Sequence, residues 1–266
     1  MLAPMLSYQH AYHAGGPADL HKHIVLAELL ARLTRKPRAI SYLETHAGRG
    51  LYALDAAETR KTGEAAQGIA RLDPDPATPF GRALAAIRAA AGPTAYPGSP
   101  AIARALLRPQ DRLALMELHP AEHAALRGAL AGPGVAIHRR DGLEGGLALA
   151  PMTPRRGLVL VDPSYELKPE YAAVSSFVRR LVAKWPEVAV LVWYPLLPAL
   201  RHRDLLAGLH PLAVRIDEVA FDPAPPRGMT GSGLALLNAP HGAEAAFAAA
   251  HAQAVGILLP LRSPAA

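Results

Sequence analysis

The chain contains no cysteine, and only 5% of its residues are aromatic. It also lacks any uncharged apolar run of the roughly 18 residues that a membrane-spanning helix requires. The missing cysteines exclude disulfide scaffolds, thiolate zinc sites, iron–sulfur clusters and cysteine nucleophiles. The missing apolar run leaves no transmembrane helix to expect. Residues 1–13 show no basic stretch followed by an apolar one, so no secretory signal is expected and the cytoplasm is the expected compartment. A G-x-x-x-x-G-K-[ST] loop is absent, which excludes a P-loop nucleotidase. The turn Thr45-His46-Ala47-Gly48-Arg49-Gly50 does not fit G-x-G-x-x-G, which disfavours a nicotinamide dehydrogenase.

What is present is a half-apolar composition, 51% of 266 residues, with 26 prolines and 22 glycines. That suffices for a full core, which excludes a wholly disordered chain, and fits one large domain or a domain carrying an insertion. Lys and Arg number 28 against 22 Asp and Glu, a formal charge of +6. The excess admits a polyanionic partner such as nucleic acid. It is equally what GC-rich codons produce, since Arg outnumbers Lys 23 to 5. Charge alone leaves the question open, and the site must decide it.

Short apolar runs ending in polar turns mark candidate buried strands at residues 39–44, 112–118, 135–138, 157–162, 188–194, 214–220 and 233–238. Helix-compatible stretches separate the first five: 56–107 (more than one helix), 120–130, 142–150 and 168–184. Strands alternating with helices predict an α/β fold, a mostly parallel doubly wound sheet. The last two runs predict an antiparallel pair at one edge. Ahead of the first strand, Leu20, Ile24, Ala27, Leu30 and Leu33 recur at helical spacing, with Asp19 as the expected N-cap. Between the first two strands, residues 63–72 and 80–91 read as helices, broken by Asp73-Pro74-Asp75-Pro76 and Gly92-Pro93. This stretch is longer than a simple connection and reads as a helical insertion over the sheet's C-terminal edge. The expected organisation is therefore residues 1–52 (N-terminal helix and first strand), 53–109 (helical cap subdomain) and 110–260 (the rest of the sheet domain).

In an open parallel sheet, ligands bind beyond the C-terminal ends of the strands. Four consecutive strands here end in an acid or a glycine turn. Gly48-Arg49-Gly50 follows the first; it lets backbone approach a ligand, or is an ordinary tight turn. Glu117, ending the second, suits a hydrogen bond to ribose hydroxyls, or caps a helix. Asp141-Gly142, after the third, accepts from an adenine amino group, or turns the chain.

Asp162-Pro163-Ser164-Tyr165, after the fourth, carries more chemistry. To methylate an exocyclic amine, an enzyme must turn the nitrogen lone pair out of conjugation with the ring and onto the methyl donor. A carboxylate and a backbone carbonyl can accept the two N–H groups, and an aromatic ring can stack on a base swung out of its helix. Asp162, the Pro163 carbonyl and Tyr165 supply all three.

In this order of motifs the chain resembles class I S-adenosylmethionine-dependent adenine N6-methyltransferases, and most closely the bacterial enzymes that methylate one adenine of 23S ribosomal RNA. The resemblance rests on Met5 to Gly15, Ala18-Asp19-Leu20-His21-Lys22-His23, Thr45-His46-Ala47-Gly48, Tyr96-Pro97-Gly98-Ser99-Pro100, Glu117-Leu118-His119-Pro120 and Arg227-Gly228-Met229-Thr230 with Ser232-Gly233. It covers nearly the whole chain and implies a Rossmann-like fold. It implies that S-adenosylmethionine is held by His23, His46, Gly48, Ser99, Glu117, Asp141, Gly142 and Asp162. It further implies catalysis at Asp162, Pro163 and Tyr165, with Tyr8, His10, Lys22 and Tyr165 at the substrate adenine. The implied partner is 23S ribosomal RNA, protein-free or early in assembly, met by a monomer away from membranes. The sequence departs from the family in two places. Ser164 stands where the second proline of D-P-P-Y is usual, and Gly16-Pro17 stands where a polar pair is usual.

Two other functions share these motifs. A DNA adenine methyltransferase needs the same tetrapeptide plus a recognition domain, for which the insertion is short. A non-catalytic RNA-binding assembly factor would be marked by loss of the acid at position 162, which is present. Histidine pairs such as His10/His13 and His119/His123 have metal-compatible spacing, but nearby acids are few, and no metal is expected.

Overall fold

The structure is a computed structural model that describes residues 10–261. Its first long element, α1 (Pro17–Thr34), starts on Gly16 as N-cap with Pro17 at the first helical position. There the ring's fixed φ is already helical, and the absent N–H has no partner to lose. The unusual Gly16-Pro17 pair is thus a helix start. Asp19 is not the N-cap, as the sequence suggested. It sits within the first turn, and its carboxylate reaches back beyond the N-cap to accept from the Gly15 N–H at 3.0 Å. The expected apolar stripe Leu20, Ile24, Ala27, Leu30 and Leu33 is buried, and so are Val25, Leu26 and Leu29. The helix is enclosed because α10 (Glu244–Gln253), α4 (Pro79–Ala91) and α5 (Ser99–Leu106) all pack on it, above the sheet.

The strands are β1 (Ser41–Glu44), β4 (Arg112–Met116), β5 (Val135–His138), β6 (Gly157–Val161), β7 (Val188–Leu196), β8 (Val214–Phe221), β9 (Gly231–Leu237) and β10 (Leu258–Pro260), joined in one sheet of order β10-β8-β9-β7-β6-β1-β4-β5. The strands from β5 through β4, β1 and β6 to β7 pair in parallel. The chain works outward from β1 through β4 to β5 and then returns to the other side of β1 with β6. The strand order therefore reverses between β1 and β6, and a ligand crevice is expected at that point. The crossovers use α6 (Pro120–Leu130), α7 (Gly142–Leu149) and α8 (Pro169–Lys184).

The antiparallel end differs in detail from the expectation. β8 and β9 do pair, but β9 inserts between β7 and β8, and β10 forms the outer edge. Gly233 makes this possible, because any Cβ there would lie 2.0 Å from the Tyr194 ring. Two helices in this half have no counterpart in the sequence reading. One is α9 (His202–Leu209), a single eight-residue helix whose amphipathic spacing that reading omits; the other is α10, whose alanines give no contrast between faces.

After β1 the chain makes β2 (Leu51–Ala53) and returns through β3 (Ala95–Pro97), which pairs with β2 antiparallel. The pair brings the ends of the intervening segment together, and the segment holds α2 (Ala57–Thr62), α3 (Glu64–Gln67) and α4. The helix expected over 63–72 is interrupted at Gly68 and continues as a 3-10 turn, Ile69–Arg71. The cause is close packing: a Cβ on Gly68 would stand 2.1 Å from the Gly15 carbonyl oxygen, and the Ile69 N–H bonds that same oxygen at 2.8 Å.

Candidate active site

A cleft of about 390 Å³ opens at the strand ends around the reversal point, within the range typical of small-molecule and cofactor sites. Its walls bring together His10, Lys22, His23, His46, Gly48, Ser99, Glu117, Asp141, Gly142 and Asp162. These come from seven separate parts of the chain. Of the other residues predicted for the site, Pro163 and Tyr165 lie behind the wall, and Tyr8 lies outside the described residues.

One wall is formed by the N-terminal end of α1. Asp19, 2% exposed, accepts from His10 Nε2 at 3.1 Å and lies 3.0 Å from Lys22 Nζ. Lys22 Nζ donates on to Asp162 Oδ2 at 2.6 Å. Burial alone would lower the lysine pKa, but the two carboxylates outweigh it and raise it, so the ammonium is permanent. Burial likewise works against the Asp19 anion, which His10, Lys22 and His23 nevertheless hold well below the usual carboxylate range. Asp19, Lys22 and His23 stand at i, i+3 and i+4, the spacing that puts side chains on one helix face. Asp19 is the organising group of this wall. The sequence reading assigned it only a capping role, although that spacing was already visible.

His23 bonds Tyr96 through Nδ1 at 2.9 Å, while its buried Nε2 has no hydrogen-bond partner. Burial pushes its pKa down to about 3, so the ring is neutral. Behind Ser99, Glu44 is fully buried and accepts from Ser99 Oγ at 2.5 Å and from the Tyr42 hydroxyl at 2.8 Å. Burial raises the Glu44 pKa to about 8 despite both donors. His46 is held by Thr45 at 2.8 Å, and burial keeps it neutral by lowering its pKa.

The opposite wall is built from turns. Gly48, at φ +61°, donates its N–H to Glu117 Oε2 at 2.8 Å, and His119 donates its N–H to Oε1 at 2.7 Å. Both oxygens are oriented while the carboxylate still faces the cleft; burial raises its pKa. Glu117 is not the helix cap, since His119 caps α6. Asp141 turns the chain, its Oδ1 capping α7 by accepting from the Glu144 N–H at 2.8 Å, and the residue also lines the cleft. Gly142 is obligatory, because a Cβ there would fall 1.7 Å from the Thr45 carbonyl oxygen.

Tyr165 departs from the expectation that its ring stacks on a substrate base. It is 5% exposed, packs against Tyr171 with ring centroids 4.5 Å apart, and donates its hydroxyl to the Trp193 carbonyl at 2.9 Å. Its φ of +55° is rare for a bulky residue. The ring thereby anchors the turn from below, and that turn presents Asp162 and Ser164 to the cleft. Tyr52, which the sequence gave no reason to single out, lines the cleft edge-on to His10, with centroids 5.3 Å apart. Glu166, Leu167 and Glu170 form the rim beyond the Asp162–Tyr165 turn. Among the described residues no cluster of three or more His, Asp or Glu is arranged to hold a metal ion, and no helix is long and apolar enough to cross a membrane.

Comparison with known proteins places this cleft in context. A family model described as "Ribosomal RNA large subunit methyltransferase D, RlmJ" matches residues 37–254. The chain is 36% identical over 246 residues to Ribosomal RNA large subunit methyltransferase J of Escherichia coli, covering 89% of this chain and 88% of that protein. It is also 36% identical over 247 residues to the protein of that name from Haemophilus influenzae, with the same coverage. A crystal structure of a Legionella pneumophila protein superposes with a TM-score of 0.78 at 34% identity, covering 89% of this chain and 91% of that one.

Proposed function

The chain belongs to the RlmJ family of ribosomal RNA large subunit methyltransferases, and from that premise we propose that it transfers a methyl group from S-adenosylmethionine to N6 of one adenine in 23S ribosomal RNA. The observation that carries this reading is the Lys22–Asp162 contact at 2.6 Å on the wall of a cleft whose opposite side is built to hold a nucleoside.

The residues present fit the cofactor. Gly48 and Gly142 line the cleft without side chains, Glu117 offers an oriented carboxylate to ribose hydroxyls, and Asp141 has a second oxygen for an adenine amine. His23 Nε2 is a buried atom of the cleft wall that makes no hydrogen bond within the chain, Asp19 Oδ1 lying 3.6 Å away, so it can donate to or accept from a ligand. When bound, S-adenosylmethionine supplies an electrophilic methyl group on a positively charged sulfur.

The chain's own residues then perform positioning and electrostatics. Asp162 accepts one N–H of the adenine amine, turns the nitrogen lone pair toward the methyl group and relays to solvent the proton that N6 sheds as its new bond to carbon forms, while the Pro163 carbonyl accepts the second N–H. Lys22 fixes the carboxylate that does this. Asp19 fixes both Lys22 and His10, so the substrate side and the acid move as one unit. Tyr165 holds the turn in place. The segment 53–109 acts as a cap beside the site, since its borders contribute Gly98 and Ser99 to the cleft. The enzyme works as a cytoplasmic monomer on RNA that is protein-free or early in assembly.

The test is transfer of a labelled methyl group to three substrates in parallel: protein-free 23S RNA, assembled large subunits and duplex DNA. The labelled nucleotide is then mapped. Label on a single N6-methyladenosine in the free RNA is expected. Label on DNA, or none on any substrate, would overturn the assignment.

A further inference from the structure

Two stretches that mark the family contribute residues that the mechanism above does not use. His21 lies on α1 beside Lys22, and Ser232 lies on β9; both are fully buried. They meet: His21 Nδ1 is 3.0 Å from Ser232 Oγ, and His21 Nε2 is 2.9 Å from Asp217 Oδ2 on β8. The same Asp217 oxygen is 3.0 Å from Nε2 of His251 on α10. Trp193 of β7 donates its indole N–H to Ser232 Oγ at 2.8 Å.

Hydrogen positions in this array follow from its chemistry. Asp217 can only accept, so His21 donates through Nε2. Burial keeps His21 neutral by lowering its pKa, so Nδ1 must accept. The Ser232 hydroxyl therefore donates to His21 and accepts from Trp193. Every polar atom in the chain of bonds is matched, and each bond has one direction. A Ser–His–Asp order of this kind suggests a nucleophile, but Ser232 has no access to any cleft.

The array ends at Trp193, where the catalytic groups begin. The Lys22 ammonium lies 5.8 Å from the centre of the Trp193 ring, and the Trp193 carbonyl receives the Tyr165 hydroxyl. One residue thus touches both the lysine that holds Asp162 and the tyrosine that anchors the Asp162 turn. His21 meanwhile fixes the helix that carries Lys22. We propose that Ser232, oriented by His21 and Asp217, is a positioning residue that locks the Trp193 indole beneath Lys22 and so sets the Lys22–Asp162 geometry for methyl transfer. It acts through Trp193 and touches neither cofactor nor base.

The inference rests on Lys22 and Asp162 being the working pair of the proposed methyltransferase, so the test separates the two. In a Trp185→Phe background the only remaining tryptophan is Trp193, and its emission reports the indole N–H directly. Ser232→Ala should shift that emission to shorter wavelength, since the N–H loses its acceptor. It should also lower kcat for RNA methylation roughly 10- to 100-fold, the scale of a small misplacement of reacting groups. The KM for RNA and the Kd for S-adenosylhomocysteine, measured by calorimetry, should stay within about threefold of wild type, the pattern of an interaction used only in the transition state. Trp193→Phe removes the same bond from its other end and covers the case in which Ser232→Ala does not fold. The double variant should be no slower than the slower single one.

Wild-type kcat in either folded single variant would overturn the positioning role while leaving the methyltransferase reading intact. So would a loss shared equally between kcat and S-adenosylhomocysteine affinity. A wild-type enzyme that methylates no RNA would instead remove the reading on which the inference stands.

Discussion

At the scale of single residues, the site is organised by carboxylates with different tasks. Glu117 spends one lone pair of each oxygen on backbone N–H groups and so arrives at the cleft already oriented. Asp162 is held instead by one ammonium at 2.6 Å. Such a carboxylate orients the amine and can pass on the proton that N6 loses on methylation. Asp162→Asn keeps the shape but weakens the acceptor and leaves Lys22 half paired. Turnover should fall by about 10²- to 10⁴-fold, the range for removal of a catalytic proton-handling or charge-stabilising group. S-adenosylhomocysteine should still bind, measured by calorimetry beside the methyl-transfer assay; full turnover would remove Asp162 from the mechanism. Tyr165 teaches the complementary point. Its residue type in the motif suggested a stacking ring, but the motif cannot say which way a ring points. A left-handed backbone and a bond to Trp193 aim it inward.

At the scale of elements, α1 does the most. Its apolar residues are buried on nearly all sides, each large one contributing about 1.5–3 kcal/mol, while its first two turns bring Lys22 and His23 into the cleft with Asp19 buried behind them. The polar turn is tolerable in that setting because Asp19 is matched by Gly15, His10 and Lys22. Asp19→Ala would leave a buried ammonium with one counter-charge and the helix start with an unpaired N–H. The expected loss is about 3–5 kcal/mol, as for breaking a buried ion pair from one side, read from urea denaturation. A loss well under 1 kcal/mol would show that solvent replaces the carboxylate. The paired β2 and β3 act at this scale too. Three-residue strands are too short to show alternation in sequence, yet their pairing returns a long segment to its starting point and places Tyr52 and Ser99 in the cleft wall.

At the scale of the whole molecule, burying titratable groups around one cleft couples stability to pH from two sides. Glu44, raised to about 8, keeps its proton in the folded state where the unfolded chain has released it. Its contribution is complete below the usual glutamate value and is lost as pH rises toward 8. His23, lowered to about 3, behaves oppositely. Its neutral form is stable above the usual histidine value, and stability is lost as pH falls below it, because the unfolded chain gains a proton that the folded one refuses. Above about pH 6.5, the unperturbed histidine value, only Glu44 of the pair gives a slope, at most about 1.4 kcal/mol per pH unit from one proton. Glu44→Gln should flatten the fall in stability between pH 6.5 and 8, measured by urea denaturation at each pH. An unchanged slope would show that Glu44 is already ionised in the folded protein.

The sequence by itself determined the alternating strands and helices, the four strand ends and the family signature. Each is written in short-range pattern: apolar runs of strand length, glycine where backbone must turn, an acid at a fixed place after a strand. Those local rules are enough to put Glu117, Asp141, Gly142 and Asp162 at strand ends. Only the tertiary structure decided how the ends combine. The Lys22–Asp162 pair joins residues 140 positions apart, and the His21–Ser232 contact spans 211. Neither separation carries a periodic signal. The structure also decided the inward turn of Tyr165 and the insertion of β9 beside β7, because both depend on which surfaces remain to be covered once the rest has packed. Burial, finally, gave Glu44 and His23 their altered protonation, and burial is a property of the whole fold rather than of any stretch within it.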